Sequence, residues 1–321
     1  MREYALGLLV AAPFVLGVTA GSSADQAHPV FRFQDHEIVE SSGLVALPGG
    51  LVVTVNDSGD SARVFVVDTS TGRTVGVTTW SGEPVDDEAL APAEPDRVWV
   101  GDIGDNTTSR DSIRVTLVPV GRGDRSGSLA SYELRYPQHA AYDAETLLAE
   151  PGSGRLFVVT KSALGGRIFA APAHLSADRP NPLRPVGIAP GLVTDGTFVP
   201  DGDRVVLRDY GRFIELSYPG WHTLTDGLLP AQRQGEGIAV TDDGRFLVSS
   251  EGIHQPVYSL ADPLAAGPSA SSSPTPSPPV SRTGEELPED PPADRDPRGF
   301  LVGASVAIVA LLVLWRALRP R

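Results

Sequence analysis

Acidic and polar side chains recur at matching places in five similar segments of the sequence. Each segment has an acidic or polar residue, a short apolar run, a tight turn, a second apolar run and a polar end. Before the first run stand Glu40 with Ser42, Asp87 with Glu88, Asp143 with Glu145, Asp195, and Glu236. After the second run stand Asn56 with Asp57, Asp102 with Asp105 and Asn106, Lys161, Arg208 with Asp209, and Glu251.

Carboxylates that share one opening repel each other unless a cation, a proton or an N–H group compensates them. Ca²⁺ takes six to eight oxygen ligands and tolerates irregular geometry, so it is the cofactor that this set favours. The predicted metal ligands are Asn56, Asp57, Asp87, Glu88, Asp102, Asp105, Asn106, Asp143, Glu145, Asp195 and Glu236. The alternative is a structural ring, in which the acids bind local backbone N–H groups.

A catalytic interpretation uses the same residues. Glu88, Glu145 or Glu236 would act as the general base. Lys161, the only lysine of the chain, and Arg208 would hold an anionic substrate. The sequence has no cysteine, no G-x-S-x-G, no H-E-x-x-H and no Walker motif, so thiol, serine-elbow and P-loop chemistry are excluded and no organic cofactor is expected.

Two loops carry more oxygen donors than a simple repeat requires. They are Asn56-Asp-Ser-Gly-Asp-Ser61 and Gly101-Asp-Ile-Gly-Asp-Asn106. Neither has the spacing of an EF-hand, and Asx-turns explain them as well as metal ligation does.

The elements that must position these residues are β-hairpins. A strand–turn–strand unit that recurs roughly every 40 to 57 residues predicts the blades of a β-propeller. We therefore predict an all-β fold with five four-stranded blades over 30–263, in which the segment 30–38 completes the last blade. Six blades are the alternative, because 103–142 is long enough to contain a degenerate blade.

In a propeller, the loops that enter the first strands and leave the second strands share one face, here called the near face. The turns between first and second strands share the opposite, far face. The acids of the five segments are therefore predicted to meet at the near face. Far-face acids such as those of Pro200-Asp-Gly-Asp203 and Asp242-Asp-Gly244 are predicted to serve turn formation only.

The two ends of the chain predict a membrane-anchored protein. Residues 1–20 resemble a signal peptide, 264–298 form a Pro/Ser-rich and acidic stalk, 299–315 form a transmembrane helix, and 316–321 form a short Arg-rich tail. The arginines after the apolar run favour a cytoplasmic C-terminus, so the propeller is expected outside the cell on a single-pass anchor. The formal net charge of −14 excludes nucleic acid as a partner.

Several motifs carry a resemblance to a known group. Glu40-Ser-Ser-Gly-Leu44, Asn56-Asp-Ser-Gly-Asp60, Gly101-Asp-Ile-Gly-Asp-Asn106 and Gly235-Glu-Gly-Ile-Ala239 look like those of secreted actinobacterial β-propeller proteins of unassigned function. More distantly, the pattern is similar to phytase-like (esterase-like) propellers. The second resemblance implies Ca²⁺ at the mouth of the channel.

Three functions stay open at this point. The first is a monomeric cell-surface binding module for a small molecule, a glycan or a surface protein. The alternative is a Ca²⁺-dependent hydrolase of phosphoesters or lactones. The third is a scaffold that works through the rim of a blade.

Overall fold

The computed structural model describes residues 27–57 and 59–264, which belong to a compact unit spanning Met1–Ser269. The predicted signal peptide, nearly all of the predicted stalk, the predicted helix 299–315 and the tail lie outside the described residues. Within the described part of the chain, no helix combines the length and the apolar character that a membrane crossing needs.

The described residues form an all-β, five-bladed propeller. The first strand is β1 (His28–Arg32). Blade I contains β2 (Ser41–Leu47), β3 (Leu51–Asn56), β4 (Arg63–Asp68) and β5 (Arg73–Trp80). Blade II contains β6 (Asp87–Pro92), β7 (Arg97–Asp102), β8 (Ile113–Pro119) and, after the short β9 (Arg125–Gly127), β10 (Ser131–Arg135).

The remaining three blades follow in chain order. Blade III contains β11 (Ala144–Ala149), β12 (Leu156–Thr160), β13 (Gly166–Ala170) and, after the short β14 (Asn181–Pro182), β15 (Arg184–Ala189). Blade IV contains β16 (Asp195–Phe198), β17 (Arg204–Arg208), β18 (Arg212–Ser217) and β19 (Thr223–Leu228). Blade V contains β20 (Gly235–Val240), β21 (Arg245–Ser250) and β22 (Pro256–Ala261).

Strand β1 completes blade V, as the sequence predicts. It pairs antiparallel with β22, with His28 opposite Ser259 and Arg32 opposite Pro256. The strand is shorter than the predicted 30–38, but Phe33 and Ile38 are still fully buried against blades I and V. Because the first and last strands of the described chain share one sheet, β1 covers the outer edge of β22 and ties the two ends of the ring together.

The core is divided among the five interfaces between blades. One apolar cluster lies at each interface, and the innermost strands β2, β6, β11, β16 and β20 contact each other in order around the ring. Inner strands such as β3 are therefore buried on both faces, whereas the outer strand β5 alternates between buried and exposed residues.

Two short outer strands were not predicted. β9, from the β8–β10 connection of blade II, pairs parallel with β5 of blade I. β14, from the β13–β15 connection of blade III, pairs parallel with β10 of blade II. The long stretch 103–142 thus supplies strands to blades I and II, and the six-blade alternative is wrong.

The two faces separate as predicted. The turns between first and second strands of blades II, III, IV and V, together with Val45 and Ala46 of β2, line one cavity at the far face. Their acids serve the turns: Asp201 Oδ1 accepts the N–H of Asp203 at 3.0 Å, and Asp243 Oδ1 accepts the hydroxyl of Thr241.

Candidate functional site

Four of the five innermost strands begin with a β-bulge at the near face. The pairing register shifts between Ser41 and Leu44, between Asp87 and Ala89, between Ala144 and Thr146, and between Gly235 and Ile238. The residues inside these shifts are Ser42 with Gly43, Glu88, Glu145, and Glu236 with Gly237. A bulge removes a residue from the strict alternation of a strand and re-aims its side chain. Equivalent side chains from four blades are thereby turned out of their sheets at the same end of the channel.

The first group at this end is a trio of carboxylates, Asp57, Asp86 and Glu88. One oxygen from each lies within 4.8 Å of the other two, so the trio could hold a metal ion. Asp57 follows the second strand of blade I, whereas Asp86 and Glu88 flank the start of blade II. Asp86 Oδ1 is buried and accepts no hydrogen bond.

Burial and like charges act on two members of the trio, although Arg110 partly offsets them at Asp86. Burial, followed by the charges of Asp57 and Asp143, raises the pKa of Asp86 to about 6. Burial, followed by the charges of Glu145 and Asp57, raises the pKa of Glu88 well above its ordinary value. The raised pKa values of Asp86 and Glu88 show that ionising them is costly in this setting, and a bound divalent cation would lower that cost.

Gly104 of the Gly101-Asp-Ile-Gly-Asp-Asn106 motif packs directly against the trio. Its N–H donates to the carbonyl oxygen of Asp86 at 3.2 Å. A Cβ atom at this position would lie 2.4 Å from Asp86 Oδ2 and 2.8 Å from Glu88 Cγ. Only glycine leaves room for both carboxylates, because real Cβ atoms essentially never approach closer than 3.0 Å.

The second group contains the single lysine. Lys161 Nζ donates to Glu145 Oε1 at 2.8 Å and lies 5.3 Å from the centre of the Tyr210 ring. Burial acts to lower the pKa of Lys161, but the charges of Glu145, Tyr210 and Glu236 outweigh it and raise the pKa. Burial raises the pKa of Glu145 to about 8, although Lys161 opposes the shift. Lys161 is thus held as a cation beside the carboxylates.

Glu236 and Glu251 complete the acidic end. Glu236 is 4% exposed, its Oε2 accepts no hydrogen bond, and burial raises its pKa to about 7 against the charge of Lys161. Glu251 Oε1 accepts the side-chain amide of Gln234 at 2.6 Å. Burial, followed by the charge of Asp57, raises the pKa of Glu251 to about 7.

Of the predicted ligands, Asn56 and Asp105 have side-chain oxygens that already accept backbone N–H groups. Asn56 Oδ1 accepts the N–H groups of Val39 and Glu40. Asp105 accepts the N–H groups of Ser109 at 3.0 Å and Arg110 at 2.8 Å. These two N–H donors lower the pKa of Asp105, although burial acts in the opposite direction. These oxygens thus bind backbone N–H groups of the protein, although none of the four bonds has the two-residue spacing of an Asx-turn.

Asp102, Asp87, Asp143 and Asn106 lie beside the trio rather than in it. Asp102 Oδ1 accepts the N–H of Asp86 at 3.0 Å and pairs with Arg110 at 2.8 Å. Burial, followed by the charge of Asp102, raises the pKa of Asp87 to about 7. Asp143 Oδ1 accepts the N–H of Asp105 at 3.0 Å, whereas Asn106 is exposed.

Asp195 is fully buried between blades. Its Oδ2 accepts the N–H of Ile238 at 2.8 Å and the N–H of Leu44 at 3.3 Å, which ties blade IV to blades V and I. Burial raises its pKa well above the ordinary value. Strand β16 has no bulge, so Asp195 points into the packed interior. The corresponding acids of the other blades point into the channel mouth.

Arg208 is also fully buried. Its guanidinium donates to Gln232 Oε1 and to the carbonyls of Asp209, Gly237 and Ser249. Burial lowers its pKa to about 10. Its N–H groups face protein acceptors, whereas the side chains of Lys161 and Arg110 are partly exposed.

Asp86 is the residue that sequence reasoning missed. The adjacent Asp87 was predicted instead, because it stands closer to the apolar run. Consecutive strand residues point to opposite faces, so an error of one position selects the wrong side chain. The available signal was the second glycine of the Gly-Asp-Ile-Gly motif, which requires a close neighbour.

Comparisons with known proteins find similar backbones but no related sequence. No protein-family model matches the chain, and no curated protein matches its sequence. Solved structures with a similar backbone include a candidate 6-phosphogluconolactonase from Bacteroides uniformis, with 18% identity and a TM-score of 0.38 over 70% of this chain and 68% of that one. A luciferin-regenerating enzyme shares 11% identity with a TM-score of 0.40 over 73% of this chain and 96% of that one. Neither similarity carries an argument about chemistry, and the resemblance to the actinobacterial group stays a prediction.

Proposed function

We propose that this protein is a cell-surface binding module whose near face holds a divalent cation, Ca²⁺ by preference, and binds its ligand through that cation. The observation that carries the proposal is the trio of Asp57, Asp86 and Glu88, with oxygens within 4.8 Å of one another. The buried Asp86 Oδ1 without a partner supports it independently. An oxygen-only ligand set with irregular geometry suits Ca²⁺ better than Zn²⁺ or Cu²⁺.

The setting of the module is part of the same proposal. The apolar N-terminal run, the Pro-rich stretch and the apolar C-terminal run followed by arginines support export and a single membrane anchor. Extracellular Ca²⁺ is abundant enough to fill weak sites, with dissociation constants around 10⁻⁴ to 10⁻³ M. A site of this kind would therefore be occupied outside the cell.

Calorimetric titration of the full chain with Ca²⁺ tests the proposal. Asp86→Asn keeps the shape of the side chain but removes its charge, and we expect it to weaken Ca²⁺ binding about tenfold or more. Asp242→Asn is the matched control, because Asp242 is an exposed acid on the far face. Negligible heat for the unaltered protein, or equal affinities for both variants, would remove the cation site.

A second candidate, a Ca²⁺-dependent hydrolase of phosphoesters or lactones, is favoured by Glu236. A bound divalent cation would polarise the substrate oxygen. Glu236 has a buried, unpartnered oxygen and a pKa of about 7, which suits a general base that takes a proton from attacking water. Lys161, whose pKa is raised by the groups around it, would hold the anion.

An activity screen separates the two candidates. Aryl phosphomonoesters, phytate and lactones would be offered with Ca²⁺ and with a chelator. Glu236→Gln should lower kcat about 10²–10⁴-fold, whereas the far-face control Glu94→Gln should leave it unchanged. If no substrate is turned over in a chelator-sensitive way, the hydrolase candidate is excluded and the binding module remains.

A further inference from the structure

Three large apolar side chains protrude from the near-face loops. Val85 is 64% exposed, Leu164 is 100% exposed and Ile253 is 52% exposed. Each stands close in sequence to a group of the polar site: Val85 precedes Asp86, Leu164 follows Lys161 by three residues, and Ile253 follows Glu251 by two. Blades II, III and V thus each present an apolar tip beside the carboxylates.

The other exposed large apolar residues of the described chain lie elsewhere. They belong to the outermost strands β1, β15 and β19 or to the last described residue, and they are Val30, Val186, Ile188, Leu224 and Leu264. Scattered apolar residues on outer strands are normal for a protein surface. Val85, Leu164 and Ile253 are different, because they lie in loops around a charged centre and not on outer strands.

The crevice beside the trio is also small. It is lined by Asp57, Asp60, Asp86 and Asp87 and has a volume of about 170 Å³, against about 1320 Å³ for the far-face cavity. A ligand at the near face would therefore rest on a surface instead of being enclosed. Protruding apolar side chains around a shallow polar centre fit a partner with a broad surface, which is polar on the outside and apolar beneath.

Charge identifies that partner. The near-face carboxylates and the net charge of −14 repel phosphates while no cation is bound. A cation on the trio offsets most of the charge of its three carboxylates and can bridge carboxylate to phosphate oxygens. We propose that the near face docks, through bound Ca²⁺, on a bilayer surface that carries anionic phospholipids, with Val85, Leu164 and Ile253 entering the apolar layer. This inference rests on the cation site proposed above.

The course of the described chain leaves this face clear. Ala261, the last residue of β22, pairs with Arg245, which directly follows the far-face turn of blade V. His28, the first residue of β1, pairs with Ser259 near the same end. Both ends of the described chain therefore lie toward the far face, away from the apolar tips.

A vesicle-capture experiment with the full chain tests the inference. The protein is held by a C-terminal tag on beads passivated with phosphatidylcholine, and fluorescent vesicles of phosphatidylcholine with phosphatidylserine are added. We expect capture with Ca²⁺, release by chelator, and no capture of pure phosphatidylcholine vesicles. Leu164→Ser should weaken capture about tenfold or more, because an inserted leucine loses its apolar burial.

Ile188→Ser is the matched control, because Ile188 is 76% exposed in the same blade but on its outer strand. It should capture vesicles as the unaltered protein does, and both variants should bind Ca²⁺ with unchanged affinity in calorimetry. Equal capture by the two variants, or capture that persists in chelator, overturns the inference. The inference is also overturned if free O-phosphoserine abolishes vesicle capture while Leu164→Ser has no effect, because the protein then recognises only an anion.

The calorimetric arm separates failure of this inference from failure of the proposed function. If the protein binds Ca²⁺ but captures no anionic vesicles, the lipid inference is wrong and the cation site stands. If it binds no Ca²⁺, the cation site is wrong and the lipid inference is wrong with it.

Discussion

Replacing Gly104 by alanine changes the geometry of the trio without changing its charge. The added Cβ would lie 2.4 Å from Asp86 Oδ2 and 2.5 Å from Asp86 Cγ, whereas ordinary contacts begin at 3.4 Å. The carboxylate of Asp86 must therefore move by about 1 Å, the difference between these distances. The φ angle of Gly104 is not in the left-handed region, so the alanine backbone itself is unstrained.

The size of two effects follows from this displacement. Inserting a methyl group into a packed site costs about 1–3 kcal/mol. In a domain of this size, each kcal/mol of lost stability lowers Tm by roughly 2–4 °C. Misplacing a metal ligand costs about 10–100-fold in metal affinity. Gly104→Ala should therefore fold, unfold at a somewhat lower temperature, and bind Ca²⁺ at least about tenfold more weakly.

The assay is calorimetric Ca²⁺ titration together with thermal unfolding in chelator. Gly211→Ala is the matched control: Gly211 lies in the near-face turn between β17 and β18, its φ angle is also ordinary, and no atom lies within 4 Å of its added Cβ. If the Ca²⁺ affinities of the two variants agree within error while both remain folded, Asp86 and Glu88 do not form the cation site, and the reasoning from the glycine is refuted.

Three further predictions concern the acids and the closing strand. The pKa of Glu236 is about 7 in the folded protein against 4.5 ordinarily, so its contribution to stability falls as pH rises from about 4.5 to 7. Glu236→Gln should flatten this fall when Tm is measured against pH in chelator. An unchanged slope would contradict the prediction. Arg204 contacts Glu215 at 2.6 Å and Asp262 at 3.0 Å, and both carboxylates have unexposed side chains. Arg204→Gln should therefore cost about 3–5 kcal/mol in urea unfolding at pH 8. The loss should be clearly smaller at pH 5, where a proton neutralises Glu215, because burial raises the pKa of Glu215 to about 7. An equal loss at both pH values would argue against an electrostatic cause. Phe33→Ala, beside the closing strand, should lower the free energy of unfolding by about 3–5 kcal/mol in the same measurement, because Phe33 is fully buried between blades V and I. A decrease below about 1 kcal/mol would show that the closing strand contributes little to stability.

The architecture was largely readable from the sequence, because it depends on local and repetitive signals. Apolar runs separated by Gly-containing turns predict hairpins, and their repetition predicts blades of similar size. The same reasoning separated the near-face acids from the far-face turn acids such as Asp201. It also predicted that the N-terminal strand closes blade V, since the last repeat lacked a fourth strand.

The short strands β9 and β14 were beyond this reasoning. They pair with the outer edges of the preceding blades through parallel contacts. Nothing in Arg125–Gly127 or Asn181–Pro182 alone distinguishes a strand from a loop. Their partners are distant in sequence, and only the ring brings the edges together.

The use made of each acid was decided by the tertiary structure. Bulges turn Glu88, Glu145 and Glu236 toward the channel, while the regular start of β16 buries Asp195 between blades. Since a side chain changes face with every residue along a strand, a bulge of one residue decides which acid enters the site. The types of residue at the near face were therefore set by the sequence. Backbone N–H groups occupy some of the oxygens, and Gly104 leaves room for those of the trio. Only the folded ring places Gly104 beside Asp86.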